Sequence, residues 1–130
     1  MTEIALLMTA LLFGGMVLYS FGFAAFLFTA LPADTAGPLL RRAFPLFYLF
    51  VFGCAVLAGA LTIPLDPVSA GVMTAIALTT VFARQILMPA INTATDNGQT
   101  SRFKRLHGFS VLITLAHIAG AGWILLRLAG

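Results

Sequence analysis

Four long apolar segments follow one another along the chain, separated by stretches that contain Pro, Gly, Asp or Asn. The apolar segments cover residues 4–31, 44–63, 68–88 and 108–128. The last three are each about 20 residues long, the length that an α-helix needs to cross the ~30 Å hydrocarbon core of a bilayer. The first runs for about 28 residues, so a helix there must tilt or project from the membrane. The pattern predicts an all-α integral membrane protein, a four-transmembrane-helix bundle of two hairpins that forms one domain over residues 1–130.

The composition agrees with a protein dissolved in lipid. Of the 130 residues, 61% are hydrophobic and 8% are charged, which leaves too few charged side chains to cover a soluble globule. The net charge of +3 is therefore interpreted as a signal of membrane orientation, and no nucleic-acid partner is expected. The single cysteine, Cys54, lies inside an apolar segment and has no partner for an internal disulfide.

The cations are concentrated in two of the three connecting stretches. Residues 32–43 and 90–107 are predicted to be loops, and residues 64–67 a tight turn. The two loops hold Arg41, Arg42, Arg102, Lys104 and Arg105, whereas the turn holds no cation. By the positive-inside rule, both loops are expected to be cytoplasmic and both termini to lie outside. The same loop cations are expected to contact the headgroups of anionic lipids.

A short internal repeat accompanies this arrangement. Three residues of the first half recur in the second half at one constant offset: Asp34, Arg42 and Phe47 correspond to Asp96, Lys104 and Phe109. The recurrence suggests that the two hairpins are related as a parallel repeat.

The fourth segment carries an unusual row of polar residues. At ~100° per residue, His107, Ser110, Thr114 and His117 fall, together with Phe103, within an arc of about 80° on one helix. In the structural interpretation this helix-four stripe faces other helices, with His107 fastening the cytoplasmic loops and His117 bonded to another helix at mid-depth. In the functional interpretation the stripe lines a small polar cavity that has His117 at its floor and His107 at its mouth.

Arg84 lies near the cytoplasmic end of the third segment. One interpretation is that its side chain snorkels to the interface, and the other is that it provides a fixed positive charge at the mouth of the cavity. A cavity of this kind would suit an anion, a lipid headgroup or haem. A copper(I) site made from Cys54, His117 and Met16 has no supporting ligand spacing. No cofactor is predicted, with haem kept as an alternative.

The sequence contains none of the common catalytic motifs. The chain has no paired carboxylates, no nucleophile beside a base and no phosphate-binding glycine loop, so it is not expected to be an enzyme. Pairs of small residues suited to close helix packing occur on three segments: Ala55 with Gly59, Gly71 with Ala75, and Ala116 with Gly120. The expected function is that of a small accessory or scaffold subunit, bound to other membrane proteins or to itself. The alternative is a protein that binds or transports a small ligand through the helix-four stripe.

Two stretches, residues 23–48 and 102–110, carry a family resemblance. Its elements are the Phe-rich end of the first segment and a set of later residues: Leu31, Ala36, Gly37, Phe44, Pro45, Phe47, Pro89, Phe103, Leu106, His107 and Ser110. In these features the chain resembles the bacterial domain of unknown function 4149, related to eukaryotic transmembrane protein 205. The resemblance implies a four-helix protein of the bacterial inner membrane with both signature loops on one side, and it implies no settled activity. Pro45 would suit the first turn of helix two, and His107 would bridge the two cytoplasmic loops.

Overall fold

The computed structural model of the chain describes all residues, 1–130, and consists of four long helices. Their bounds are α1 Thr2–Ala30, α2 Ala33–Thr62, α3 Pro67–Asp96 and α4 Thr100–Ala129. Each is long and apolar enough to cross a membrane. The prediction of an all-α, four-helix membrane protein is therefore confirmed.

The helices are longer than the apolar segments, and the interpretation of residues 32–43 and 90–107 as loops is wrong. Only Leu31 and Pro32 separate α1 from α2, and residues 97–99 separate α3 from α4. Pro45 consequently lies inside α2 instead of in its first turn, because neighbouring helices can satisfy the backbone groups that an internal proline leaves free. The true break after α3 is at Gly98, whose φ of 66° ends the helix in a Schellman motif.

Both hairpins begin with the same succession of helical geometries. In α1, 16 residues of α-helix lead into a π-helical segment, Leu18–Phe23. In α3, 16 residues of α-helix again lead into a π-helical segment, Ala83–Leu87. This recurrence agrees with the parallel repeat suggested by the sequence. It also matters for function, because π-helical insertions often occur at functional sites.

Glycines allow close approach at the contacts between helices. A Cβ added at Gly59 of α2 would lie 3.3 Å from the Cβ of Met73 in α3, and one added at Gly120 of α4 would lie 3.4 Å from Val72. These two predicted packing positions therefore do lie at helix interfaces. The predicted pair on α3 does not, because Gly71 and its partner Ala75 are both exposed.

Two bidentate ion pairs join helices at opposite ends of the bundle, the first between the two hairpins and the second within the second hairpin. Arg41 of α2 donates to both carboxylate oxygens of Asp96 at 2.7 and 3.0 Å. Arg127 of α4 donates to both oxygens of Asp66, in the turn before α3, at 2.8 and 2.9 Å. The 31–32 and 97–99 connections thus share one end of the bundle, and the 63–66 turn and the C-terminus share the other.

Candidate functional site

A polar contact joins the two helices of the second hairpin at the edge of the core. His117 of α4 is 7% exposed, and its Nε2 lies 2.6 Å from Oγ1 of Thr79 in α3. The same Thr79 hydroxyl donates to the carbonyl oxygen of Ala75 at 2.7 Å. Since a hydroxyl has a single proton to donate, the geometry assigns the proton on Nε2 to His117, which donates to Thr79. The chain of two hydrogen bonds satisfies both side chains in an apolar setting.

The other members of the helix-four stripe do not converge on His117. Ser110 is half-buried and donates to the carbonyl oxygen of His107 at 2.7 Å, within its own helix. Thr114 is also half-buried. The stripe is therefore graded, with His117 buried, Ser110 and Thr114 at the edge of the core, and His107 outside it.

His107 does not fasten the ends of the helices to one another, so that expectation is wrong. Its side chain is exposed, and its ring stacks on Phe103 of the same helix at a centroid distance of 5.5 Å. Ile113 is six residues from His107, which at ~100° per residue places it about 120° away around the helix, and it is half-buried. The face of α4 that packs on the other helices carries His117. Around the helix, this face lies between the positions of His107 and Ile113. Replacing His107 with Ala should accordingly have little effect on folding.

Arg84 lies in the π-helical segment of α3 and reaches across to α2. Its Nε donates to the carbonyl oxygen of Pro45 at 3.3 Å, and its Nη1 donates to Oε1 of Gln85 at 2.8 Å. The side chain is half-buried, and no carboxylate lies within ion-pair distance of it. Arg84 therefore links the two hairpins and keeps a charge that no acidic residue of the chain compensates.

The cations of the predicted loops differ in their partners. Arg41 is engaged by Asp96, whereas Arg42, Arg102, Lys104 and Arg105 are exposed and form no ion pair within the chain. Sequence reasoning treated all five as equivalent, because a partner 55 positions away leaves no local signal. All of them nonetheless lie towards the same end of the bundle, as the distribution of cations predicted.

An aromatic cluster between α1 and α2 was missed by sequence reasoning. The ring of Tyr19 stacks on that of Phe47 with a centroid distance of 4.1 Å and an interplanar angle of 11°, and it meets Phe44 edge-on. The Tyr19 hydroxyl is buried and has no hydrogen-bond partner. This hydroxyl is the only buried side-chain nitrogen or oxygen atom of the chain without one.

The two best-defined concave surfaces of the bundle are not lined by His117 or Arg84. A groove of about 420 Å³ between α1 and α2 borders the aromatic cluster. A smaller depression of about 180 Å³ lies at the connection between α3 and α4. The chain has no group of three or more His, Cys, Asp or Glu side chains close enough to hold a metal ion.

A comparison with known families identifies the chain. The family described as domain of unknown function DUF4149 matches residues 7–100, which cover most of α1 and all of α2 and α3. No curated protein and no solved structure matches the chain. Because the match spans most of the chain, this multi-pass membrane protein belongs to the DUF4149 family.

Proposed function

We infer that the protein is a non-enzymatic accessory or scaffold subunit that packs against a larger membrane protein through the outer face of α4. The observation that carries this proposal is the burial of α4 itself. In its most apolar window of 18 residues, 17% of the residues are buried, against 39% in α2. The fourth helix thus offers more of its surface to a partner than any other helix of the bundle.

The outer face of α4 has the composition of a helix contact in lipid. Gly108 has open space where a side chain would be, and Ala119 is exposed. Leu112 and Leu126 on the same side are 65% and 75% exposed. A glycine inside a helix costs about 1 kcal/mol relative to alanine, and Gly108 supports no contact within the bundle. Small residues flanked by leucines let another helix approach closely.

The geometry of the stripe supports the structural interpretation over the ligand-binding one. His117 is bonded to Thr79, and Ser110 to its own helix. These groups are committed to partners within the chain and are not free to receive a ligand. A small-ligand function for the stripe, with haem as one candidate, would require those bonds to break.

Photo-crosslinking in cells tests the contact. A photoreactive amino acid at Leu112 of α4 should crosslink one polypeptide of defined mass, whereas the same group at Leu7 of α1, which is 71% exposed, should crosslink only lipid. Ala119→Trp should abolish the crosslink from position 112, and Ala60→Trp on the exposed side of α2 should leave it unchanged. Equal crosslinking from positions 7 and 112, or a crosslink that survives Ala119→Trp, would refute the proposal.

The proposal includes an orientation in the bacterial inner membrane, with both termini outside. Six of the seven cations lie towards the end that carries the 31–32 and 97–99 connections, which the positive-inside rule places in the cytoplasm. In a Cys54→Ala background, a membrane-impermeant thiol reagent should label Leu65→Cys from outside but not Gln99→Cys. Labelling of Gln99→Cys alone would reverse the orientation.

A further inference from the structure

The groove between α1 and α2 runs along the direction of the helices. One residue per turn of α1 lines it, and its wall on α2 is built from two successive turns; the lining residues are Gly15, Tyr19, Phe23, Ala43, Leu46, Phe47 and Phe50. The eight residues from the first to the last α1 position correspond to about 12 Å at 1.5 Å per residue. The groove is therefore an elongated apolar channel on the surface that faces the membrane, and its volume is within the range of ligand sites.

The two ends of the groove differ. At the deep end, the ring of Phe50 lies directly on Gly15, where an added Cβ would be 2.5 Å from a ring carbon. Along the middle, the stacked rings of Tyr19 and Phe47 form a flat wall. At the other end, Phe23 and Ala43 lie close to where the apolar segment of α2 begins. The groove thus runs from Gly15, which Phe50 covers, to Phe23 and Ala43 near the cation-bearing end.

An uncompensated cation lies beyond the end of the groove at Phe23 and Ala43. Arg42 precedes the lining residue Ala43 and is one helical turn from Leu46, towards the helix start. Side chains of an α-helix tilt towards its N-terminus, so the Arg42 guanidinium extends away from the apolar channel, in the direction of the lipid headgroups. Unlike its neighbour Arg41, which Asp96 neutralises, Arg42 is exposed and has no carboxylate partner.

We propose that this groove binds one acyl chain of an anionic glycerophospholipid, whose phosphate is held by Arg42. The apolar channel accounts for the chain, and the position of the free guanidinium accounts for the charge of the headgroup. The aromatic walls are held by packing on one another, so the groove exists before the lipid enters, which lowers the ordering cost of binding. The site lies on α1 and α2, so it is independent of the α4 contact proposed above.

Native mass spectrometry of the purified chain tests this site with two lipids of identical acyl chains, phosphatidylglycerol and phosphatidylcholine. The wild type should retain phosphatidylglycerol with about fivefold preference, the effect expected of one basic residue at a membrane surface. Arg42→Gln should remove most of that preference, and Arg105→Gln, an equally exposed cation on α4, should not. Ala43→Phe, which fills the channel, should reduce retention of both lipids, and Ala119→Phe on α4 should reduce neither.

Three outcomes would overturn the proposal. Equal losses in Arg42→Gln and Arg105→Gln would indicate a diffuse surface potential instead of a site. Unchanged retention in Ala43→Phe would place the lipid elsewhere. Equal retention of the two lipids by the wild type would reduce the contact to ordinary bilayer lipid. Because Arg42 makes no contact on which the bundle depends, its variant gives a valid reading even if Ala43→Phe fails to fold.

Discussion

The two hairpins share a backbone design and differ in the chemistry that joins their helices. Each begins with 16 residues of α-helix followed by a π-helical segment. In the first hairpin the contact is aromatic, built on the stacked rings of Tyr19 and Phe47. In the second, a half-buried hydrogen bond joins His117 to Thr79. The same backbone arrangement therefore accommodates an aromatic contact in the first hairpin, the aromatic seam, and a hydrogen-bonded contact in the second, the polar seam. Whether a polar group in either seam is stabilising depends on whether it has a hydrogen-bond partner.

The largest difference is expected from a single added methyl group. Gly15→Ala should lower the free energy of unfolding by about 1 to 3 kcal/mol, the usual cost of overpacking, because the new Cβ would be 2.5 Å from the Phe50 ring. Gly120→Ala in the second hairpin should be neutral or stabilising by up to about 1 kcal/mol, because its Cβ would be 3.4 Å from Val72, an ordinary contact. Unfolding of both variants in the same detergent measures the comparison.

A small effect of Gly15→Ala would contradict this expectation. If Gly15→Ala cost less than about 0.5 kcal/mol, the Phe50 ring would have swung aside, and the first hairpin would be less tightly packed than the second. The groove beside Gly15 would then also change shape, which the lipid measurements would register.

The polar seam should show a smaller loss. Thr79→Val keeps the shape of the side chain but leaves the His117 Nε2–H without its acceptor, so we expect a loss of about 0.5 to 2 kcal/mol. Thr80→Val is the matched control. Thr80 is more deeply buried than Thr79, at 1% exposure, and its hydroxyl donates only to Ile76 of its own helix. Similar losses in the two variants would mean that the contact between α3 and α4 contributes no stability.

The helices themselves could be predicted from the sequence, because crossing a bilayer requires about 20 apolar residues and four such segments are present. The helix ends could not. Gly37, Pro38 and Pro45 are read as helix breakers by any local rule, yet all three lie inside α2. Contacts with neighbouring helices decide whether such residues interrupt a helix, and those contacts are not visible in one sequence.

In the candidate site, too, the helical periodicity could be predicted and the contacts between helices could not. Helical periodicity correctly grouped His117 with an inward stripe, and Thr79 lies at a comparable position along α3. Periodicity gives only relative angles, however, so it could not tell that the inward direction passes between His107 and Ile113. The ion pair of Arg41 with Asp96, 55 positions apart, likewise depends on the register of two helices. The groove beside Gly15 likewise depends on how α1 and α2 are aligned, which one sequence does not show.

Acid should weaken the contact between α4 and the start of α3. Hydrogen bonds from Arg127 and then from Ser69 hold the pKa of Asp66 well below its usual range. A carboxylate with a lowered folded-state pKa contributes stability that is fully present above its unfolded pKa of about 3.9. That stability is lost as the pH falls from there towards the folded value. The midpoint of thermal unfolding should therefore drop below about pH 4, and Asp66→Asn should flatten this part of the profile. An unchanged profile in Asp66→Asn would assign the acid sensitivity to another group.

The smallest effect is expected at the polar group that the aromatic seam leaves without a partner. A buried hydroxyl with no hydrogen bond carries a desolvation cost that nothing in the folded chain offsets. Tyr19→Phe removes that hydroxyl and keeps the ring that stacks on Phe47, so the free energy of unfolding should stay within about 0.5 kcal/mol or rise slightly. The sign is thus opposite to that of Thr79→Val, although both variants delete one hydroxyl. A loss above about 1 kcal/mol would mean that the Tyr19 hydroxyl binds a molecule from outside the chain, such as water or lipid, and that the first hairpin, like the second, depends on a polar contact.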